Sequence, residues 1–448
     1  MSLAPGNALK ADEGLLTPPS PDTLKETGLS LGELSGLILK FLYTRGSMLG
    51  LDLSRGICLP FKIIEEGLAF LKSDKCLDVV GGDLIGRVSY KFQLTDLGRT
   101  RAQETMKVCG YVGPAPVPLA EYVKQTYKQA VTNLPIDQDA LRESFAHLVV
   151  SEDLFLAVGP AILSGKSIFI YGPPGTGKTS IASSIGDFMN KKGGDIFVPY
   201  AFTFEGNIIT IYDPAIHVLA ADPVEETPKN EQDAAIRRLL NANAYDPRWV
   251  RIRRPVVITG GELSLAMLEP RYSPETNYYQ GPLHVKANGG IFLVDDFGRQ
   301  LCSPKELLNR WIVPLESRVD FLNLASGQKF MVPFEQLTIF STNMDPKGLV
   351  DDAFLRRMRH KLEIGAPKRD IYEKIFKSYC KKQKMEFCPE AVDYLFEQFY
   401  NRGRTVRASD CRDLLETVSS ICRFRSIPVH LTRELMVEAA KSFIGEFV

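Results

Sequence analysis

The sequence lacks the features of several large protein classes. No apolar run approaches the roughly 18 residues that span a bilayer, and the first residues, MSLAPGNALKADEG, lack the basic-then-apolar pattern of a secretory signal. Charge of neither sign prevails, since 54 Lys and Arg residues balance 54 Asp and Glu residues. A chain without net charge has no general attraction to nucleic acid or anionic membranes. These absences favour a cytoplasmic protein without a membrane span.

Cysteine and histidine are also scarce. The eight cysteines are scattered along 448 residues without a C-x-x-C pair, and there are only five histidines. This pattern argues against a zinc site and against a disulfide framework. We expect reduced, partly buried thiols, as in a cytosolic protein.

The strongest motif present is a glycine-rich loop at residues 172–180, GPPGTGKTS. It lies between the apolar run 168–171 and a helix-compatible segment at 181–189. Strand, G-x-x-x-x-G-K-T loop and helix together are typical of a P-loop, whose glycines let backbone N–H groups turn toward phosphate oxygens at a helix N-terminus. Lys178 would neutralise the β- and γ-phosphates and the Thr179 hydroxyl would bind Mg²⁺. We expect the nucleotide to contact the whole loop, Gly172, Pro173, Pro174, Gly175, Thr176, Gly177, Lys178, Thr179 and Ser180.

Two later strands are predicted to end in polar side chains. The apolar run 291–294 ends at Asp295 and Asp296, as in a buried parallel strand whose carboxyl end faces a ligand. We expect Asp295 to hold Mg²⁺, directly or through water, and Asp296 to orient the attacking water. A third strand, 337–340, is followed by Asn343, which would sense the γ-phosphate. A polar residue there is also ordinary turn chemistry.

Together these residues resemble the AAA+ ATPases over roughly residues 135 to 448. The loop 172–180 matches Walker A, 291–296 matches Walker B, and Asn343 matches sensor 1. The resemblance implies an α/β fold, namely a three-layer P-loop NTPase with a parallel sheet and a C-terminal helical lid. It also implies ATP and Mg²⁺ as ligands, and a homo-oligomeric ring, usually a hexamer.

The resemblance assigns roles to several arginines. Segment 351–358, DDAFLRRM, looks like the one that carries the arginine finger, with Arg357 as first choice and Arg356 as second. Such a guanidinium stabilises charge on the transferred phosphoryl group, and in this family it reaches a neighbouring subunit's nucleotide. On a predicted lid helix, Arg412 is similar to sensor 2, and Arg407 competes for that role. The plainer alternatives are a surface ion pair for Arg356 and Arg357, and a solvated helix face for Arg412.

One departure concerns catalysis. The family usually ends Walker B with Asp-Glu, whereas this chain has Asp295 and Asp296. Asp296 is one methylene shorter than Glu, and a misplacement of about 1 Å can cost on the order of 100-fold in rate. We therefore expect hydrolysis to be slow, or to need a neighbouring subunit that completes the site.

The stretch between Walker A and Walker B is longer than a minimal core requires. The order of its predicted helices, strands and loops looks like that of the subgroup with an insertion in the second helix. That subgroup includes MoxR-type chaperones, magnesium-chelatase-type motors and bacterial enhancer-binding activators. The GAFTGA loop of the enhancer-binding activators is missing, which counts against that role. Tyr278 and Tyr279 lie on a predicted polar loop, 271–280, that would grip a partner in the ring opening or pack locally. The basic cluster 248–254 would touch nucleic acid, nucleotide or a neighbour's acids, or form a solvated or salt-bridged face.

Upstream, residues 30–110 are predicted to form a small α+β unit. Ser30 and Glu33 have the spacing of a capping box, and three helical segments, a hairpin over about 77–94 and a closing helix follow. This order resembles a winged helix. Its third helix, 62–75, has three basic and three acidic residues, whereas DNA contact requires a basic excess. Protein docking or a structural role is favoured, with DNA binding as the alternative.

The prediction therefore divides the chain into five parts and supports one leading function. The parts are a flexible leader (1–29), a winged-helix-like domain (30–110), a linker and helix (111–134), the AAA+ large α/β domain (135–366) and the helical lid (367–448). The leading function is an ATP-hydrolysing ring that remodels or assembles a protein partner in a chaperone-like way. The alternatives are an ATP-switched DNA-binding or transcription-control protein and a hydrolysis-poor scaffold that assembles with ATP.

Overall fold

The structure, a computed structural model, describes residues 16–81, 89–134, 138–220, 245–349 and 352–443. In its N-terminal part, three short strands form an antiparallel sheet in the order β1-β3-β2, with helices packed around it. The elements are α1 (Leu24–Thr27), α2 (Leu31–Arg45), β1 (Met48–Leu49), α3 (Gly50–Ile57), α4 (Phe61–Ser73), β2 (Leu77–Gly81), β3 (Lys91–Leu94) and α5 (Asp96–Val108). The predicted capping box is confirmed, because Ser30 Oγ accepts from Glu33 N at 3.2 Å and Glu33 Oε2 accepts from Ser30 N at 2.8 Å. The tip of the predicted hairpin, 82–88, lies outside the described residues.

Residues 16–29 differ from the flexible leader expected over 1–29. Pro18 and Thr27 are buried, and Asp246 N donates to Pro18 O at 2.9 Å. Arg248 Nη1 donates to Thr27 O at 2.8 Å. We call residues 16–29 the N-terminal strap, because backbone carbonyls along it bind a segment more than 200 positions away. Residues 1–15 lie outside the described part.

A linking segment leads from the N-terminal part to the glycine-rich loop. It contains β4 (Val117–Pro118), α6 (Leu119–Lys128), α7 (Gln138–Phe145) and α8 (Glu152–Leu163). Ser151 Oγ accepts from Leu154 N at 3.3 Å and so caps α8. The next elements are β5 (Ile168–Tyr171) and α9 (Lys178–Lys192), on either side of the loop.

The stretch between α9 and the acid pair folds mainly into short strands. They are β6 (Ile196–Pro199), β7 (Ala201–Phe204), β8 (Asn207–Thr210), β9 (Trp249–Ile252), β10 (Val256–Thr259), β11 (Arg271–Ser273) and β12 (Tyr278–Gln280), followed by α10 (Leu283–Lys286). β6 pairs with β9, while β11, β12, β8, β7 and β4 form a second five-stranded sheet in that order. Residues 230–241, whose sequence predicts a polar helix, lie outside the described residues.

The second sheet overturns the idea of a gripping loop. The segment predicted as a polar loop forms the hairpin β11–β12 instead. Tyr279 is only 3% exposed, and Tyr278 packs edge-on against Tyr111 of the N-terminal core with ring centroids 5.6 Å apart. Both tyrosines pack locally, which was the plainer alternative.

The basic cluster 248–254 is mostly structural. Arg248 is buried and paired with buried Asp246 at 2.8 Å, and Arg251 pairs with Asp195 at 2.6 Å. Buried Arg254 donates to the carbonyls of Gln129, Gly193 and Gly289. The hypothesis that this segment forms a basic surface patch for nucleic acid is therefore wrong.

The central sheet is parallel throughout and runs β10-β13-β16-β5-β17. The strands and helices that complete this part are β13 (Ile291–Val294), α11 (Pro304–Arg310), α12 (Ile312–Ser317), the hairpin β14 (Val319–Asn323) and β15 (Lys329–Pro333), β16 (Leu337–Thr342), α13 (Pro346–Leu349), α14 (Asp352–Arg357) and β17 (His360–Glu363). The strand before the glycine-rich loop, the acidic strand and the strand before Asn343 are thus held in one sheet, as the expected fold class requires.

Alternate residues of these strands face two different cores. Ile168, Ile170, Ile291 and Leu293 face the core shared with α7, α8 and α9, whereas Phe169, Phe292 and Phe340 pack with α11 and Trp311 on the other side. Helices cover both faces, which is why the strands are apolar at nearly every position. The predicted three-layer α/β fold of the P-loop NTPase type is confirmed.

A helical lid follows the sheet. It comprises α15 (Arg369–Gln383), α16 (Pro389–Gln398), α17 (Ala408–Phe424) and α18 (Arg433–Phe443), which enclose their own apolar core. This bundle confirms the predicted C-terminal helical region. Throughout the described residues, no helix combines the length and apolarity needed to cross a membrane. All eight cysteines are unpaired, and five are buried.

Candidate nucleotide-binding site

The glycine-rich loop has the backbone shape that its glycines allow. It connects the end of β5 to the start of α9, so the loop's N–H groups and the helix N-terminus point to one place. Gly172 has φ 144°, and a Cβ there would lie 2.1 Å from the Ile364 carbonyl oxygen. Gly177 has φ 93° and caps α9. Residues that carry a Cβ rarely adopt these φ angles, which explains glycine at both positions.

Lys178 reaches back over the loop. Its Nζ donates to the carbonyls of Gly172 at 3.1 Å and Pro173 at 2.9 Å, and to Asn343 Oδ1 at 2.5 Å. Burial lowers the pKa of Lys178, and the charges of Asp295 and Asp296 oppose this shift. In a nucleotide complex, phosphate oxygens would replace these neutral oxygens as the hydrogen-bond partners of the Lys178 ammonium.

The acid pair lies beside the loop at the carboxyl end of β13. Thr179 Oγ1 donates to Asp295 Oδ2 at 2.8 Å, so the two predicted magnesium ligands are in contact. Asp296 N donates to Asp295 Oδ1 at 3.1 Å. The backbone of Asp296 is left-handed, with φ 48°, a conformation that Asp tolerates better than most residues.

Asn343 connects the lysine to the second acid. It follows β16, which lies between β13 and β5 in the sheet. Its Oδ1 accepts from Lys178, and its Nδ2 donates to Asp296 Oδ1 at 3.0 Å. Thr179, Asp295, Asp296, Asn343 and Lys178 thus form one continuous polar network.

A cavity of about 620 Å³ opens above this network, within the usual size of small-molecule sites. The central sheet's loops form its floor and the lid forms its roof. Its lining includes all five residues of the network, the loop residues 175–180, residues 147–150 before α8, and two lid segments. The lid residues are Ile375, Ser378, Tyr379 and Lys382 from α15, and Ala408, Ser409 and Arg412 from the start of α17.

The lid touches the glycine-rich loop directly. Ser409 N donates to Gly175 O at 2.9 Å, and a Cβ on Gly175 would meet Ser409 Oγ at 2.4 Å. Arg412, one turn further along α17, lines the cavity and pairs with Asp413 at 2.8 Å. Arg407, which precedes α17, is not among the lining residues of this cavity, but its Cβ lies 3.3 Å from where a Cβ on Gly175 would be.

The two finger candidates lie apart from the cavity of their own chain. Neither Arg356 nor Arg357 contributes to its lining, although both close α14, just before edge strand β17. Arg356 is exposed. Arg357 Nε pairs with Glu316 at 2.6 Å.

Several residues of the site carry no signal in the sequence. Gln300 donates to the carbonyls of both Asp295 and Asp296, yet a glutamine six residues past a strand is unremarkable on its own. His147 lines the cavity and contacts Ser184 Oγ at 3.3 Å. Tyr379 and Lys382 share a helix face with Ile375, which reads as ordinary amphipathic spacing.

Comparison with known proteins adds distant similarities. Residues 368–442, most of the lid, match a family described as a domain of unknown function (DUF8689). No protein with a curated description matches the chain significantly.

Solved structures that resemble the chain include three bacterial proteins. The RuvB Holliday junction branch migration motor of Thermotoga maritima is 13% identical over 68% of this chain and 70% of its own, with a TM-score of 0.35. Domain III of the replication initiation protein DnaA from the same organism is 14% identical over 70% of this chain and 100% of its own, with a TM-score of 0.37. NtrX from Brucella abortus is 13% identical over 76% of this chain and 59% of its own, with a TM-score of 0.37. Similarities this distant carry no information on activity or partners.

Proposed function

We propose that the chain is a Mg²⁺-dependent ATPase of the AAA+ type that works as a ring. One observation carries the proposal: a lysine, a hydroxyl, two carboxylates and an amide from three adjacent strand ends form one network under a cavity that the lid covers. Open α/β sheets bind ligands at the carboxyl ends of their strands. The loop's backbone N–H groups and Lys178 supply the positive field that a triphosphate requires.

The donor set suits magnesium. Thr179 Oγ1 and Asp295 Oδ2 are hard oxygen ligands that lie 2.8 Å apart, and Mg²⁺ is commonly held by one or two protein oxygens together with phosphates and water. Thr179 and Asp295 would hold the ion. When bound, it supplies charge that neutralises the β- and γ-phosphates.

Asp296 would orient the attacking water. In hydrolysis the water oxygen forms a bond to the γ-phosphorus as the bond to the bridging oxygen breaks, and the water proton leaves to an acceptor. Asp296 is exposed at the cavity floor, and Asn343 Nδ2 holds its Oδ1 at 3.0 Å. The second carboxylate oxygen is the one we assign to the water. The left-handed backbone at Asp296 sets the direction of its side chain. Because this side chain is one methylene shorter than that of Glu, we still expect slow hydrolysis.

The arginines support assembly. Arg412 lies on the lid side of the cavity and would contact the phosphates in its own subunit. Arg357, with Arg356 as second choice, lies outside this cavity and would serve a neighbour's nucleotide, so that function requires a ring, most simply a hexamer. Nucleotide state would move the lid, because a ligand shifts conformations that it binds unequally.

For the target we propose a protein that the ring remodels or assembles, in a chaperone-like role. We propose 30–110 as a winged-helix-like domain that docks protein, joined by 111–134 to the large domain 135–366 and the lid 367–448. The exposed side of α4 mixes Lys62 and Lys72 with Glu66 and Phe70, which suits a protein surface better than DNA. The unpaired cysteines support a reducing compartment such as the cytoplasm.

The decisive experiment measures ATP binding and phosphate release by the full chain over a range of protein concentrations. We expect Mg²⁺-dependent release that rises more steeply than concentration. Asp296→Asn should retain ATP and trap rings on their partner in a pull-down. Tight ATP binding without release at any concentration would favour the scaffold alternative, and salt-sensitive retention on duplex DNA would favour the transcription-control alternative.

A further inference from the structure

Both polar atoms of the Gln300 side-chain amide form hydrogen bonds with backbone groups around the acid pair. Its Nε2 donates to Asp295 O at 2.9 Å, to Asp296 O at 3.2 Å and to Gly260 O at 3.3 Å. Its Oε1 accepts from Gly298 N at 2.8 Å. One side chain therefore binds three carbonyls and one N–H, and three of these four backbone groups belong to the turn 295–298.

This turn has a conformation that needs support. Asp296 has φ 48°, a left-handed conformation that is strained for a non-glycine residue and persists where the surrounding structure holds it. From the sheet side, Phe297 N donates to Ser341 O at 2.7 Å and Thr342 Oγ1 donates to Phe297 O at 2.8 Å. These two bonds hold Phe297, whereas the carbonyl of Asp296 accepts from Arg299 N at 3.0 Å and from Gln300 Nε2 at 3.2 Å.

We infer that Gln300 is a positioning residue for Asp296, an inference that rests on the proposed function. Gln300 binds the carbonyls of Asp295 and Asp296, which flank the Cα of Asp296. It thereby sets the direction of the Asp296 side chain toward the attacking water. Gln300 is not among the residues that line the cavity, so it would act through Asp296 and not by contact with the nucleotide. Its effect therefore falls on the chemical step and not on nucleotide affinity.

Gln300 also links the catalytic turn to the strand that leads into the second sheet. Gly260 follows β10 directly, and Leu301 N donates to Leu263 O at 3.1 Å beside it. A shift of segment 260–263 would pass through the Gln300 amide to the carbonyl of Asp296. The same side chain thus connects the catalytic turn with the part of the chain that bears β11 and β12.

The substitution Gln300→Glu tests the role with almost no change in shape. It places a carboxylate oxygen where Nε2 faces three carbonyl oxygens, so all three donated bonds are lost. We expect kcat for phosphate release to fall roughly 10- to 100-fold, while the Kd of a fluorescent ATP analogue stays within about twofold. Gln138→Glu, an exposed glutamine on α7, is the matched control and should change neither quantity.

A double-substitution cycle separates positioning from general stability. If Gln300 acts through Asp296, then Gln300→Glu should slow the residual single-turnover release of Asp296→Asn, followed with γ-labelled ATP, by less than about twofold. Three results would overturn the inference: an unchanged kcat, a full additional loss in the Asp296→Asn background, or a loss of nucleotide affinity equal to the loss of kcat. If Gln300→Glu does not fold, judged by its thermal transition, Gln300→Met is measured against the same outcomes.

Failure of the inference can be told from failure of the proposed function. If the wild-type chain releases no phosphate, both fall together. If it does and Gln300→Glu matches it, only the role of Gln300 is lost.

Discussion

The ammonium of Lys178 donates a hydrogen bond of 2.5 Å to the side-chain oxygen of Asn343. This contact determines which way the amide faces, because only its oxygen can accept from a lysine. The amide nitrogen is thereby turned to Asp296, 3.0 Å away. In the proposed mechanism, Lys178 would bind phosphate and also orients Asn343, which in turn holds Asp296. A bound triphosphate would therefore compete with Asn343 for Lys178.

Asn343→Asp should uncouple these two ends. An aspartate still accepts from Lys178 but cannot donate to Asp296, and its charge repels that carboxylate. We expect the rate of phosphate release to fall about 100-fold, as when one preorganised donor is removed, with ATP still bound. Steady-state kinetics and equilibrium binding check this, with Asn309→Asp on the exposed side of α11 as control. An unchanged rate would exclude Asn343 from the mechanism.

Nucleotide affinity should depend on pH through Lys178. Its pKa is lowered, mainly by burial, so in the free protein the ammonium loses its proton at a lower pH than an ordinary lysine. Affinity that requires this charge is full below the lowered pKa and declines as pH rises through it. Calorimetric or fluorescent titrations across the alkaline range should show the decline beginning early. Lys178→Arg, whose guanidinium stays charged, should lack this step, and an identical profile would contradict the assignment.

Two inactive variants should restore each other if Arg357 serves a neighbouring subunit. Lys178→Ala cannot hold ATP but keeps its arginine, while Arg357→Ala holds ATP but lacks the arginine, each with a loss on the order of 1,000-fold. Mixed rings contain interfaces with one intact half from each variant. Phosphate release by the mixture should exceed that of both separate variants. The same mixture made with Arg356→Ala identifies which arginine matters, and a silent mixture in both cases would argue against action between subunits.

Asp246→Asn should strongly destabilise the fold without touching the cavity. Asp246 and Arg248 are 3% and 4% exposed, and removing one partner of a buried ion pair leaves an uncompensated charge that costs about 3–5 kcal/mol. Urea unfolding should show this loss, whereas neutralising the exposed Glu438, which pairs with Arg425, should cost about 0–1 kcal/mol. Equal effects would mean that the Asp246–Arg248 pair is not a structural tie.

The parts of the site that could be predicted from sequence are those set by local spacing. The loop before Lys178, the acids after β13 and Asn343 after β16 each follow an apolar run, and parallel strands bring their carboxyl ends to one edge. The Ser30 capping box is local in the same sense. Roles that depend on a second subunit, such as that of Arg357, remain predictions.

What could not be predicted depends on contacts between distant segments. β12 pairs with β8, with Tyr279 opposite Ile209, although 70 positions separate these two residues, and only this long-range pairing shows that Tyr279 is buried. The charges of 248–254 look solvated in sequence because burial of Arg248 and Arg254 depends on carbonyls supplied by remote segments. Gln300 escapes notice for a similar reason, since its partners are backbone groups that no side-chain pattern marks.

The N-terminal strap has a practical consequence for dissecting the molecule. Residue 30, where the first amphipathic helix begins, looks like the natural place to cut. Yet a fragment that starts there would discard the Thr27 carbonyl bound by Arg248 and the Pro18 carbonyl bound by the amide of Asp246. The buried amide of Asp246 would lose its acceptor, and Arg248 Nη1 would keep only the Pro116 carbonyl at 3.5 Å. Truncated versions therefore need to retain residues 16–29 to report on the intact protein.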